Sequence, residues 1–257
     1  MNRVRVIRGV IGVAGAVAVI ELAARTGLVD ETALPPASTV FARAVGQLGD
    51  KDFLSSVGST MEAWAGGLLV AIAVAVPLGI ALGSIRWLGT ASRVVVEFLR
   101  PIPSVALIPL AIVVFASTTN VKISLVVYAA TWPILINTLY ALRDVDPLAK
   151  ETLRSFGFGR LSVLWRVTLP SAAPFVTTGI RISASIGLIV VISAELFSGG
   201  GGLGTYLSDT QSGGGRTDLL LAGALWAGLI GLGINTALVW AERTAFRWHA
   251  ERTEASR

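Results

Sequence analysis

The feature that most constrains this chain is a set of apolar stretches long enough to cross a bilayer. Residues 63–85, 102–121, 123–142 and 219–240 contain no charged side chain. About 20 consecutive apolar residues suffice for a helix through the hydrocarbon core. Only 14% of the 257 residues are charged, against roughly 25% in soluble domains. The sequence therefore predicts an all-α, polytopic membrane protein.

Two further stretches bring the predicted transmembrane helices to six. Residues 9–24 predict a short first span behind a basic N-terminus, with a cleaved signal peptide as the alternative. Residues 174–197 predict the fifth span, although they include two charged residues. Between the first and second spans, residues 38–48 indicate an interfacial amphipathic helix that Ser38 caps. The next helix is expected to begin near Phe53.

The distribution of basic residues predicts the orientation of these spans. With both chain ends in the cytoplasm, only five of the 21 lysines and arginines fall outside. Those five are Arg25, Arg43, Lys51, Lys122 and Arg216. Because cytoplasmic loops carry the excess of basic residues, this predicts a multi-pass protein of the cell membrane with both termini cytoplasmic. The charges are spread over short loops rather than massed, so they do not indicate nucleic-acid binding.

The composition also removes most catalytic chemistry. The chain has no cysteine, and its one histidine, His249, lies in the charged C-terminal tail. A thiolate metal site, a cysteine nucleophile and a Ser-His-Asp triad are therefore not expected. No GxxxxGK[ST] sequence occurs, so any ATP must be bound by a partner. The sequence predicts that the chain is not an enzyme and carries no metal or cofactor of its own.

A polar loop from Asp146 to Pro170 interrupts the apolar chain between the fourth and fifth predicted spans. Asp146 is a good N-cap, and Pro147 is suited to the first helical position. Gly157 and Gly159 can adopt the left-handed conformation that ends a helix. The loop is therefore predicted to hold two short helices joined by a glycine turn, the second of which Pro170 ends.

The spacing of residues in this loop resembles a known family. Gly157 follows Glu151 by six residues, and Leu169–Pro170 closes the pattern. This resembles the "EAA" loop of permease subunits of ATP-binding-cassette (ABC) importers, although Thr and Leu replace the two alanines that usually follow the glutamate. Its predicted place, in the cytoplasm between spans four and five, agrees with that family.

The resemblance extends over roughly residues 38–248. Residues 101–115, 132–147 and 194–204 are similar to segments of the subfamily that imports nitrate, sulfonates, taurine and bicarbonate. Residues 115–120, FASTTN, depart from the Phe-Gly-x-Gly turn usual there. The resemblance implies a type I ABC importer permease fold, formed by a single transmembrane domain of residues 1–257 with cytoplasmic coupling helices in the polar loop.

The resemblance also implies partners and a substrate class. A second permease copy would form a homodimer, two ABC ATPase subunits would bind ATP and Mg²⁺ in the cytoplasm, and an extracytoplasmic binding protein would deliver the solute. That solute would be a small anion such as nitrate, a sulfonate or a taurine-like compound. The outer segment, predicted to be helical from Leu203 to Gln211, would meet the binding protein.

Two sets of residues are candidates for function. Apolar side chains of the polar loop would fill a groove on the ATPase while charges fix the register; a surface loop that only reconnects two spans is the alternative. The candidates for ATPase contact are Glu151, Arg154, Gly157, Leu161, Leu164, Trp165, Leu169 and Pro170. The candidates for the substrate path are Ser104, Asn137, Ser183, Ser193 and Glu195.

For the path residues, packing and backbone hydrogen bonding are the alternative roles. Glu195 has two further possibilities, at the outer mouth or accepting N–H bonds from the glycine run that follows it. Arg181, near the inner end of the fifth span, could line the path or extend its side chain to the interface. Gly79 and Gly83, spaced as GxxxG, are expected to be packing positions.

The sequence fits two other functions less well. A self-sufficient secondary transporter or channel would need inverted repeats with broken helices or acidic ion sites at mid-membrane, and it would leave the polar loop without a role. An intramembrane enzyme would need histidine, cysteine or paired carboxylates at membrane depth, which the predicted spans lack.

Overall fold

The computed structural model describes residues 3–30, 33–212 and 215–246, and these residues contain helices but no β-strand. The α-helices are α1 (Arg3–Arg25), α2 (Ala37–Gln47), α3 (Lys51–Ser84), α4 (Arg86–Ala91), α5 (Arg93–Leu99), α6 (Ile108–Val114), α7 (Thr118–Asp144), α8 (Pro147–Ser155), α9 (Arg160–Val163), α10 (Leu169–Ser198), α11 (Leu203–Ser212) and α12 (Thr217–Ala245). A 3₁₀ turn (Ser104–Leu107) precedes α6, and a π turn (Leu164–Thr168) joins α9 to α10. The charged tail with His249 lies outside the described residues.

Within the described chain, five helices are long and apolar enough to cross a membrane. They are Ile7–Arg25, Lys51–Ser84, Thr118–Asp144, Arg160–Ser198 and Thr217–Ala245. A sixth crossing requires the bent pair Trp87–Leu99 and Ser104–Val114 to act as one span.

The prediction of a third span over residues 102–121 is wrong in its bounds. The two halves of the bent pair meet at 78°, and the chain leaves helical geometry again at Phe115 before α7 begins at Thr118. Pro101 and Pro103 lie at the bend, where missing N–H groups and restricted preceding residues break the helix. Residues 118–121 therefore belong to the fourth span.

Pro170 does not end the second helix of the polar loop, contrary to prediction. The helix continues from Arg160 through Pro170 to Ser198. The π turn that precedes Pro170 has wider hydrogen-bonded rings, and Pro170 itself stands in the first turn of α10, where a missing N–H costs little. The fifth span therefore starts inside the polar loop rather than at residue 174.

Two compact units divide the chain: the described parts of Met1–Thr60 with Gly201–Ile230, and of Met61–Gly200 with Gly231–Arg257. In the second unit, glycines let α3 and α10 approach α7. A Cβ at Gly79 would lie 2.7 Å from the Thr138 Cβ, and one at Gly179 would lie 2.8 Å from the Asn137 Cβ. Gly79 is therefore a packing position, as its spacing with Gly83 predicts.

In the first unit, Ser38 does not cap α2. Its hydroxyl and its backbone N–H both donate to the Glu21 carboxylate, at 2.9 Å each, and thereby tie α2 to α1. The residue before α2 is Pro36, which makes no side-chain cap. The start of α2 is thus stabilised by a tertiary contact that local sequence does not reveal.

The first unit also holds α11, which begins at Leu203 as predicted. Phe53, fully buried, packs edge-on against Tyr206 at 5.4 Å between ring centroids. Burial raises the pKa of Tyr206 above its ordinary value, so its hydroxyl stays protonated and donates to the Asp50 carboxylate at 3.3 Å. These contacts anchor α11 to α3.

Candidate functional site

The polar loop begins with a tightly capped helix. The Asp146 carboxylate accepts a hydrogen bond from the Leu148 N–H at 2.8 Å, and Pro147 occupies the first turn of α8. The Lys150 ammonium donates to the Leu142 carbonyl at 3.2 Å, close to the C-terminal end of α7. A cation there complements the helix dipole. The predicted N-terminus of α8 is confirmed, and the loop starts in a defined orientation relative to α7.

A Schellman motif ends α8. The Gly157 N–H donates to the Arg154 carbonyl at 2.9 Å, and the Phe158 N–H donates to the Leu153 carbonyl at 3.1 Å. Gly157 has φ of +82°, as predicted. Gly159, also predicted to be left-handed, has φ of −69° and instead precedes α9. One glycine makes the turn, and the other does not need to be glycine for its backbone conformation.

The loop exposes a set of large apolar side chains. Leu148, Phe156, Leu161 and Trp165 are 69%, 77%, 69% and 66% exposed. Leu161 and Trp165 were predicted to form the contact face, whereas Leu148 and Phe156 were not identified from the sequence. The available signal for Phe156 was its place immediately before the glycine of the C-cap. We define these four residues as the exposed apolar set.

Other predicted contact residues divide between the surface and the interior. Leu164 packs half-buried against the core formed by Ala141, Leu142 and Ala172, so it supports the loop from behind. Glu151, Arg154 and Pro170 are exposed, and Leu169 is half-buried. The structure brings the first three to the surface and places Leu164 behind it.

The five predicted path residues have different surroundings. The Ser183 hydroxyl is buried and donates to the Ala130 carbonyl at 2.6 Å, which joins α10 to α7. The Ser193 hydroxyl donates to the carbonyl of its own helix four residues back. Asn137 also bonds one turn back, to Pro133, but it lines a cavity of about 310 Å³. Ser104 lies at the bend of the third span. The set is not gathered at one site.

Comparison with known proteins identifies the family. Residues 75–244 match the family model described as binding-protein-dependent transport system inner membrane component. The chain belongs to this family. It is 28% identical to the taurine transport system permease protein TauC of Escherichia coli, over 87% of this chain and 83% of that protein.

Two further relatives are named as permeases for other substrates. The chain is 29% identical to the bicarbonate transport system permease protein CmpB of Synechococcus elongatus, over 77% of this chain and 71% of that protein. It is 26% identical to the nitrate import permease protein NrtB of Leptolyngbya laminosa, over 72% of this chain and 66% of that protein.

The fold has a solved counterpart. An inward-facing structure of the MetNI methionine ABC transporter superposes with a TM-score of 0.65 and 19% identity, over 74% of this chain and 94% of that chain. The chain therefore has the fold of a type I ABC importer permease. The family match and the relatives show that it is a multi-pass, inner-membrane permease subunit of an ABC importer. Such a permease works with ATPase and binding-protein partners.

The permease contains a buried ion pair that the sequence analysis missed. Lys122 Nζ lies 3.5 Å from Glu195 Oε1, and the two side chains are 1% and 0% exposed. Lys122 was predicted to end the third span on the outer surface, but it lies in the second turn of α7. Glu195 lies in the last turn of α10, and its side chain is fully buried. The pair therefore joins α7 and α10 at the end opposite the polar loop.

Arg181 of the permease also has a partner. Its Nη1 lies 3.4 Å from the Glu242 carboxylate of α12, which also accepts a bond from the Thr178 hydroxyl at 3.3 Å. Both charged side chains are partly exposed, at 32% and 23%. The contact explains how an arginine is accommodated in the fifth span.

Replacing Arg181 by Gln is expected to leave uptake within about twofold of the parent. A partly exposed ion pair contributes below about 1 kcal/mol, so the thermal midpoint of the purified permease should fall only slightly. Glu242→Gln is the matched variant and should lower the midpoint by a similar amount. A large loss of uptake in Arg181→Gln with an unchanged midpoint would instead place Arg181 on the substrate path.

Proposed function

We propose that this permease imports a small oxyanion or sulfonate that a binding protein delivers. The relatives named above carry nitrate, bicarbonate and taurine in their names, and the three compounds share a compact acidic oxygen-bearing group. We further propose that two copies of the permease assemble with two ATPase subunits, and that both chain ends and the polar loop are cytoplasmic. The positive-inside distribution of lysines and arginines supports that orientation.

The observation that carries the proposed mechanism is the exposed apolar set on the polar loop. Several large apolar side chains exposed on one polar loop indicate a protein contact. Aromatic anchors such as Phe156 and Trp165 are typical of the residues that dominate binding energy. Glu151 and Arg154 of α8 are also exposed, and their charges would orient the partner. We therefore propose this loop as the ATPase-binding surface.

The connections of the loop would transmit its movement to the transmembrane helices. Lys150 ties α8 to the end of α7, and α9 runs without interruption into α10. The loop is thus the turn between two packed transmembrane helices rather than a flexible link. ATP-driven movement of the ATPase would shift α7 and α10, and Asn137, which faces a cavity between them, is the candidate we retain for the substrate path.

Reconstitution into proteoliposomes tests the proposal. Together, the permease, its ATPase and its binding protein should support uptake of labelled nitrate, bicarbonate or taurine. Uptake should occur only when ATP is present on the side of the membrane where the ATPase is bound. Omitting the binding protein should reduce uptake at least tenfold. Uptake by the permease alone, driven by an ion gradient, would contradict the proposal and favour a secondary transporter.

A further inference from the structure

The third span is broken where a cavity opens beside it. The bend of 78° between Trp87–Leu99 and Ser104–Val114 interrupts an otherwise apolar crossing. In membrane transporters, interrupted helices are tolerated where they line a cavity, and they often mark an ion or substrate site. The segment before the bend, α4 and α5, faces the C-terminal half of α7.

The cavity at this place has a volume of about 230 Å³. Its polar lining comes from Ser92, Arg93, Glu97 and Arg100 of the broken span and from Tyr140 and Arg143 of α7. A water occupies roughly 30 Å³ in the liquid, so the space accepts a phosphate-sized or sulfonate-sized group with ordered water around it.

The lining has an excess of positive charge. Arg93 and Glu97 pair with each other, with Arg93 Nε 2.7 Å from the carboxylate. Arg100 and Arg143 make no ion pair with any residue that the structure describes. Arg143 and Tyr140 also line the adjoining cavity, together with Asp144. In the 230 Å³ cavity the one carboxylate, Glu97, is paired with Arg93, so the guanidinium groups of Arg100 and Arg143 give the lining its excess of positive charge.

The surrounding groups suit an oxyanion. Guanidinium groups bind planar or tetrahedral oxyanions through paired N–H bonds. The Ser92 and Tyr140 hydroxyls add neutral donors. The Arg143 guanidinium lies close to the main chain of α4 at the cavity wall, because a Cβ on Gly89 would lie 3.2 Å from its Nη2. The same Cβ would overlap the Leu82 carbonyl oxygen, so it is this main-chain contact that requires glycine at position 89.

We propose that this cavity binds an oxyanion group through Arg100 and Arg143. Arg143 lies at the same end of α7 as the polar loop, so in the proposed topology the site is at the cytoplasmic membrane interface. Two sources present the same chemistry there: the phosphate of an anionic lipid, and a free oxyanion on its way into the cell. The cytoplasmic placement of the site, and the free oxyanion as its ligand, rest on the proposed function.

The experiment uses the assembled transporter and two probes. In the first arm, native mass spectrometry counts phosphatidylglycerol retained after purification from mixed phosphatidylglycerol–phosphatidylcholine nanodiscs. In the second, sodium sulfate is titrated into transporter in a neutral detergent, and its thermal midpoint is followed. Arg100→Gln/Arg143→Gln is the test variant, and Arg243→Gln, an exposed arginine near the end of α12 outside this cavity, is the matched control.

We expect binding of one of the two probes to be at least tenfold weaker in the double variant and unchanged in the control variant. Loss of lipid retention identifies a headgroup site, and loss of the sulfate-induced shift identifies a free-ion site. If neither probe binds the parent, or if the control loses as much as the double variant, the proposal is wrong. If the double variant fails to assemble, the conservative variants Tyr140→Phe and Arg143→Lys replace it. Each should weaken binding of the same probe. Unchanged binding in both variants would also overturn the proposal.

Discussion

Replacing Lys122 by Met, or Glu195 by Gln, is expected to destabilise the permease by about 3–5 kcal/mol, because either change leaves one buried charge without its partner. The two side chains are almost fully buried and lie 3.5 Å apart, at the ends of α7 and α10 that are opposite the polar loop. The thermal midpoint of the purified protein should fall sharply, and so should the amount recovered in the membrane.

The double variant Lys122→Met/Glu195→Leu separates charge from packing. It removes both charges while keeping apolar volume, so most of the stability lost in the single variants should return. The exposed pair Arg93–Glu97 is the matched control, and Glu97→Gln should leave the midpoint unchanged within error. Equal destabilisation by the double and single variants would show that the pair does not act as a unit.

The second large effect is expected in the polar loop. Gly157→Asp should abolish uptake while the permease remains in the membrane. Gly157 has φ of +82° in the Schellman turn, where any side chain is strained by about 1–2 kcal/mol. Aspartate also places a negative charge beside Phe156, in the exposed apolar set. Uptake into vesicles and co-purification of the ATPase measure the effect.

Alanine at two glycines provides the control for backbone strain. Gly157→Ala should reduce uptake, because only strain is introduced, whereas Gly159→Ala should be neutral. Gly159 has φ of −69° and nothing within 4 Å of a Cβ. If both variants behaved alike, the geometry of the turn would not matter for coupling.

Charge reversal tests the same surface without backbone strain. Glu151 is exposed on α8, and its carboxylate has no ion-pair partner among the described residues. Glu151→Lys should therefore fold normally but lose ATPase binding and uptake. Normal assembly and transport in both Glu151→Lys and Gly157→Asp would remove the proposed coupling role from the loop.

Local chemistry made several elements predictable. The Asp146–Pro147 start of α8, the left-handed Gly157 and the beginning of α11 at Leu203 follow from caps and glycine conformations that depend on few neighbours. Long uncharged runs likewise predict membrane helices, because the cost of burying charge in lipid is the same in any fold. These features depend only on short-range interactions along the chain or on the transfer of side chains from water to lipid.

Position along a span was harder to predict, because hydropathy reports composition and not where a helix bends. The uncharged run before Lys122 suggested that Lys122 ends a span. Its charge is instead balanced by Glu195 on another helix. Pro170 suggested a stop, yet a π turn carries the helix through it. Ser38 had the right type for a cap, but Glu21 competes for its hydroxyl.

By itself, the sequence determined that this is a membrane protein, how many apolar segments cross the membrane (apart from the bend in the third), and the glycine turn of the polar loop. These features rest on charge content and local backbone preference. Only the tertiary structure decided that Lys122 and Glu195 form a buried pair, that Leu148 and Phe156 join the exposed apolar set, and that Arg100 and Arg143 share one cavity. The buried pair and the shared cavity depend on helices distant in sequence lying side by side, which no local pattern encodes.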